Sequence, residues 1–335
     1  MVWKPIVVGV DGTPESFRAV ELAAKIAAAA RAQVIPVHVV PLIPAFTGVE
    51  GVQALPVFSP ELQQTLVQSA RDQIARALTP LLPAAAVRQL EVLTGPAPFV
   101  LADTARRRQA ELIVLGGKHH SALARGLGRS TAHYLVRKLD VPVLIVGGSG
   151  AAITKVLASV DLSRASTPTI MAAERLAALF GAQLRLLHVV EPLRPGYVAP
   201  EQWDEPGFER RSREAFERFV SPFRHIPGEH RIVRKGIPAE TIAEESNAWQ
   251  ADVVVVGSHG KGWVDRILVG STTERLITQL PTSILVVPVE EITKVRLARQ
   301  RKTRRAARRP KKGGAKMTGA RSTRRTKRSR GRPRQ

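Results

Sequence analysis

The chain has 335 residues, more than a single domain of ordinary size, and 44% of them are hydrophobic, enough for two cores. With 4% aromatic residues and no cysteine, those cores must rest on Val, Ile, Leu and Ala, while disulfide scaffolds, Cys-ligated metal centres and thiol catalysis are excluded. The net charge of +23 is concentrated at one end: Lys294 to Gln335 holds 20 Lys or Arg and no Asp or Glu, leaving residues 1–293 at only +3. No apolar run reaches the roughly 18 residues of a membrane span. The start, MVWKPIVVGVDG, meets Gly and Asp too early for a secretory segment. A soluble, cytoplasmic protein is expected.

In chain order, the first apolar run, IVVGV (6–10), ends in Asp11, and VLASV (156–160) ends in Asp161, 150 positions later. The runs VIPVHVV (34–40) and LRLLHVV (184–190) keep that spacing. Further on, Gly95 matches Gly236 and Gly116 matches Gly257, now 141 apart because the first half has the longer middle insert. Each half closes on another apolar strand, VPVLIV (141–146) and TSILVV (282–287). This order implies a duplication. The organisation expected is one unit over residues 1–150, a second over 151–290, and a tail over 291–335.

Within each half the pattern alternates strand and helix. The runs IVVGV, VIPVHVV, LIVL (112–115) and VPVLIV are short and almost continuously apolar, as strands buried on both faces are. Thr13-Pro14 predicts a helix start, with Phe17, Val20 and Ala24 on one face. Ile170, Ala173, Ala177 and Phe180 repeat the stripe before Gly181, a helix stop. Leu62, Leu66, Ala70 and Ile74 predict a further apolar face, matched by Phe208, Ala215, Phe219 and Phe223. The fold class is therefore α/β, with two tandem doubly wound parallel-sheet domains.

The main functional signal is VVVVGSHGKGWVDRILVGSTTERLI (253–277), with glycines at Gly257, Gly260 and Gly270 and hydroxyls at Ser271 and Thr272. Glycines at a strand's carboxyl end let backbone approach an anion without a Cβ in the way. A helix opening behind them directs free N–H groups and a positive dipole end at the same place. The alternative is a tight strand–helix connection with no ligand. Neither a Walker A loop nor a dinucleotide-binding fingerprint is present.

G-x2-G-x9-G-[ST] at 257–271, with Asp161 at a strand end about a hundred residues earlier, resembles the universal stress protein family. The resemblance covers roughly 3–147 and 153–289. It implies Rossmann-like, adenine-nucleotide-binding units, of which some members bind ATP and others lack the loop. For a binder it implies that Asp161 contacts the adenosine part, that Val189 lies against the base, and that Gly257, Gly260, Gly270, Ser271 and Thr272 hold the phosphates. His259, inside the loop, is a further candidate. ATP or a related nucleotide is the cofactor expected, in the second half. A sensor or regulator of the stress response is expected, not an enzyme, because no catalytic base is evident and any ATP hydrolysis would be slow or incidental.

The first half departs from this pattern. Aligned on Gly116 and Ser130, its second and third glycines become His119 and Arg129, so side chains stand where bare backbone should meet phosphate. It is read as a degenerate unit kept for packing. The halves are expected to pair within the chain, a homodimer being the other arrangement open to such a unit. His119-His120 has no third ligand in view and is read as solvated loop, not metal. His38 and His188 are read as strand-end packing.

The tail has almost no large apolar residues and is expected to be disordered when free. Arg304, Arg305, Arg308, Arg309, Lys311, Lys312, Arg324, Arg325, Arg330, Arg332 and Arg334 are its candidate contacts to DNA or RNA phosphates. Neutralising 6–10 phosphates would weaken binding by about 10³–10⁵-fold between 50 and 200 mM salt. The tail resembles histone-H1-like bacterial tails, and Arg330-Gly331-Arg332-Pro333 resembles the core of an AT-hook. With no aromatic residue, it lacks the stacking groups that single-strand readers use. An alternative function is an architectural nucleic-acid-binding protein whose tandem units serve only as a folded body.

Overall fold

The first strand, Ile6–Val10 (β1), is buried on both faces because helices cover both sides of the sheet it belongs to. A computed structural model describes residues 3–41, 60–117, 131–148, 152–163, 166–192, 205–258, 269–279 and 282–288. After β1 the first half runs through α1 (Pro14–Ala30), β2 (Val34–Val40), α2 (Pro60–Leu78), α3 (Ala84–Val87), β3 (Glu91–Thr94), α4 (Ala97–Arg107), β4 (Leu112–Gly116), α5 (Thr131–Lys138) and β5 (Val143–Val146). The second half repeats the plan as β6 (Lys155–Ser159), α6 (Ser166–Phe180), β7 (Gln183–Val190), α7 (Glu205–Val220), β8 (Arg231–Lys235), α8 (Pro238–Trp249), β9 (Val253–Gly257), α9 (Ser271–Gln279) and β10 (Ser283–Val287).

Among the described residues ten strands form one sheet in the order β3-β2-β1-β4-β5-β10-β9-β6-β7-β8. Pairing is parallel within each half. The halves join through an antiparallel pair, β5 with β10, for which the sequence carried no signal because both strands are equally apolar. Alternate residues feed two cores. Ile6, Val8, Val156, Val253 and Val255 face α1, α2, α6 and α7, while Val7, Ile113, Val254 and Val256 face α4, α5, α8 and α9.

β3 and β8, absent from the strands expected, are the two outer edges of this sheet. An edge strand needs no continuous apolar run and is protected by charge, so EVLT and RIVRK lack the signature of the buried strands.

The helix ends follow the local chemistry. Thr13 caps α1, its hydroxyl accepting from the Ser16 amide at 3.3 Å with Pro14 behind it. Gly181 ends α6 at φ +64. The α2 stripe needs correcting: Leu62 and Leu66 are exposed, and the buried face is Val67, Ala70, Ile74 and Leu78. A strict four-residue spacing turns through about 40° per step, so Leu62 and Leu66 have rotated off the face Ile74 occupies. On α7 the fully buried positions are Phe216 and Val220, with Phe219 and Phe223 packing around them. Among the described residues no helix is long and apolar enough to cross a membrane.

Candidate functional site

Strand order locates the crevice. In the second half the chain steps from β6 to β7 and β8 on one side and then to β9 and β10 on the other, so the order reverses between β6 and β9. Open α/β sheets take ligands outside the carboxyl ends of the strands at such a switch. Continuing the register past Ala158↔Val255 and Ser159↔Leu187 sets Asp161 level with Ser258 on one side and Val189 on the other. Adjacent strands are about 4.8 Å apart, so these three residues form a row across the crevice.

Each member of the row is held by its neighbours. The Val160 amide donates to Leu187 O at 2.8 Å, and His188 Nδ1 lies 2.8 Å from Val160 O. A carbonyl only accepts, so Nδ1 carries the proton. His188 is buried and stacked on Phe216 at 5.8 Å, and His38 makes the same contact to Val10 O in the first half. Both histidines are thus strand-end clamps. Leu162, the next residue after Asp161, sits at φ +63, where the first half has Gly12 at φ +83. A bulky residue in the left-handed region is costly and is retained only where its surroundings over-determine it.

The Asp161 carboxylate is anchored through one oxygen. Oδ1 accepts from the Ser163 amide at 2.9 Å and from the Ser166 hydroxyl at 2.8 Å, and the Asp161 amide donates back to Ser166 Oγ at 3.0 Å. Ser166 is itself buried. With Oδ1 occupied, Oδ2 is the acceptor left for a hydroxyl or amino donor on a ligand.

Opposite Asp161, the ends of the glycine loop are drawn together. The Gly270 amide donates to Ser258 O at 2.9 Å, and the Ser258 amide to Val287 O at 2.8 Å. The first bond of α9 runs from the Glu274 amide to Gly270 O at 2.9 Å. Gly270 is therefore the cap, and the amides of Ser271 and Thr272 precede the helix's own ladder. Ser271 is exposed and Thr272 half-buried. Of the residues expected here, Asp161, Val189, Gly257, Gly270, Ser271 and Thr272 lie along one sheet edge. Val189 is the penultimate residue of β7, opposite Arg234. His259 and Gly260 lie outside the described residues, as do His119, His120, Arg129 and the whole tail from Glu291.

The first half shares the scaffold but not the fittings. The Gly117 amide donates to Val146 O at 2.8 Å, as Ser258 does to Val287. Asp11 is bound instead by the amide and hydroxyl of Thr13, and the Ser16 hydroxyl turns to Thr13 O at 2.9 Å. A Cβ on Gly116 would fall 2.6 Å from the Glu15 carbonyl carbon, so this glycine is required by the approach of α1. The Glu15 carboxyl there is held below its ordinary range, first by a hydrogen bond from its own backbone amide.

Ser166 and Thr273 were not among the residues expected. For Ser166 a signal was available in the repeat, because Ser16 and Ser166 share an offset of 150, whereas Thr273 aligns with Ala132 and had none there. Among the described residues no cluster of three or more His, Asp or Glu is arranged to hold a metal ion.

Comparisons with known proteins agree with this duplicated plan. A universal stress protein of Mycolicibacterium smegmatis is 28% identical over 293 residues, covering 84% of this chain and 96% of that protein. One from Mycobacterium tuberculosis is 28% identical over 307 residues, covering 84% and 95%. The crystal structure of a universal stress protein from Archaeoglobus fulgidus superposes with a TM-score of 0.60 at 18% identity, covering 85% of this chain and 96% of that one, which shows the fold. The family model for universal stress proteins matches residues 3–147 and again 152–288, and the chain therefore belongs to the universal stress protein family, with the unit present twice.

Proposed function

We propose that the second half binds ATP or a related adenine nucleotide and that the protein acts as a non-enzymatic sensor or regulator of the stress response. The observation that carries this reading is the pair of fittings facing each other at the switch point. Asp161 presents one free carboxylate oxygen, and α9 presents the unused amides and hydroxyls of Ser271 and Thr272. Together they suit a ligand with hydroxyl or amino donors at one end and phosphate at the other. The left-handed Leu162 beside Asp161 supports the same place. On this reading Gly257, Gly260 and Gly270 leave room for the phosphates, Val189 lies against the base, and His259 is a loop contact. The first half binds no nucleotide and serves as scaffold.

The reading extends to the tail. Residues 291–335, with 20 cations from Lys294 onward, would tether the body to DNA or RNA and associate it with the nucleoid. The test purifies the full chain, releases any bound nucleotide by denaturation, and compares wild type with Gly260→Asp and Gly270→Asp. Nucleotide is expected in the wild type and not in the variants. If all are equally empty, nucleotide sensing fails and the architectural reading takes its place. Truncation after Glu290 is expected to abolish DNA retention at physiological salt, and unchanged retention would sink the tether.

A further inference from the structure

The second-half loop is closed at its base by a side chain that the first half lacks. Thr273, in the first turn of α9, is 4% exposed, and its hydroxyl donates to Gly257 O at 2.7 Å. Together with the Gly270–Ser258 bond of 2.9 Å, this ties the cap and first turn of the helix to the end of β9 and the residue after it by two separate bonds. At the corresponding position of the first half stands Ala132, which has no hydroxyl to offer Gly116. The half whose glycine pattern is intact is therefore also the half with the second tie.

This tie bears on anion binding. Backbone amides at a helix start favour an anion only if they already point at it, because ordering them on binding subtracts from affinity. Bonded to Gly257 O, Thr273 fixes the direction of the turn that carries the Ser271 and Thr272 amides. Asp161 is held by an unconnected set of bonds through Ser163 and Ser166. We infer that Thr273 is a positioning residue for the phosphate arm of the second-half site, acting on the ligand's phosphates and not on its nucleoside. The inference rests on the reading of this half as a nucleotide site.

Titration calorimetry on the full chain with ATP, and with adenosine by competition, tests it for wild type, Thr273→Val and Thr273→Ser. Valine keeps the shape and removes the hydroxyl, while serine keeps the hydroxyl. Thr273→Val is expected to weaken ATP by about three- to tenfold, the worth of one hydrogen bond, with adenosine changed less than twofold. Thr273→Ser is expected to restore ATP affinity. Equal loss of ATP and adenosine, especially with a lowered Tm, would make Thr273 a packing residue and overturn the inference, as would unchanged ATP binding or failure of serine to rescue. If the wild type binds neither ligand, the nucleotide reading itself fails and this inference falls with it.

Discussion

Leu144 and Leu285 stand directly opposite each other where β5 pairs antiparallel with β10, and they are the same position of the repeat, 141 residues apart. Ile145 faces Ile284 and Val143 faces Val286, so each half presents to the other the edge it receives. A pseudo-twofold axis therefore passes between the two leucines. The duplicated chain does internally what a symmetric dimer of a single unit would do.

This symmetry makes a prediction about the isolated second half. Residues 151–290 alone would leave the buried edge Ser283–Val287 without its partner. A second copy can pair there about the same axis, with Leu285 opposite Leu285. The fragment is expected to be a dimer by light scattering, while residues 1–290 are expected to be monomeric. Their outer edges are blunted by Glu91 on β3 and by Arg231, Arg234 and Lys235 on β8. A monomeric, folded 151–290 fragment would contradict the argument.

The repeat also holds an internal control on buried charge. In the second half Glu245, 6% exposed, accepts from Arg185 at 2.7 Å and Arg234 at 3.2 Å, and Arg185 lies 4.2 Å from the Trp249 ring. At the equivalent positions the first half has Thr104, Ile35 and Leu93. Arg234 is more than half exposed and stays hydrated without its partner, but removing Glu245 strands the largely buried Arg185, so Glu245→Ala should cost roughly 3 kcal/mol. Replacing the whole triad with its counterpart, Arg185→Ile with Arg234→Leu and Glu245→Thr, should land within about 1 kcal/mol of wild type. Urea unfolding of the three proteins checks this. A triple variant as unstable as the single one would mean that the triad carries net stability.

Among the described residues four helices end on a left-handed residue followed by an amide that reaches back five positions: Ala32 to Ala27, Ala110 to Ala105, Ala182 to Ala177 and Ala251 to Ser246, all within 2.8–2.9 Å. The left-handed residue is Gly181 in one case but Arg31, Gln109 and Gln250 in the others. Left-handed backbone costs a side-chain-bearing residue about 1–2 kcal/mol, of which the greater freedom of glycine in the unfolded chain takes back about 0.4–1. Arg31→Gly and Gln250→Gly should each stabilise by about 0.5–1 kcal/mol, and Gly181→Ala should destabilise by a similar amount. Thermal melts on the chain truncated after Glu290 would show both signs. No change at Arg31 would mean that its side chain repays the strain through contacts of its own.

Gly116 shows how far the site could be read from residues alone. Strand, turn and helix were legible because buried strands are continuously apolar and because Thr13, Pro14 and Gly181 have specific conformational uses. The glycine pattern was legible too, but not which glycine served which purpose. Gly116 is required by Glu15 and Ser16, whose backbone atoms lie 2.6–2.7 Å from where its Cβ would be, so its presence in the first half says nothing about phosphate. Edge strands, the joining of β5 to β10, and the Thr273 hydroxyl behind Gly257 depend on contacts between separate elements and left no local trace, whereas the Ser166 hydroxyl behind Asp161 is a near neighbour repeated at Ser16. Gly116→Ala should cost about 1–3 kcal/mol from backbone overlap alone and leave nucleotide affinity in the second half unchanged, which calorimetry and melting together can show.

The Ser166 hydroxyl holds Asp161 Oδ1 at 2.8 Å and accepts from the Asp161 amide at 3.0 Å. Its counterpart Ser16 makes neither contact with Asp11 and serves the helix cap with Thr13 instead. If Asp161 meets the nucleoside, releasing its carboxylate should act on that part of the ligand whatever phosphates are attached. Ser166→Ala is therefore expected to weaken ATP and adenosine by the same factor, about three- to tenfold, whereas loss of the Thr273 hydroxyl separates them. The double variant should combine the two losses, because the residues share no partner and their bonds lie on opposite sides of the crevice. An effect of Ser166→Ala on ATP with none on adenosine would move Asp161 from the nucleoside to the phosphate side of the site.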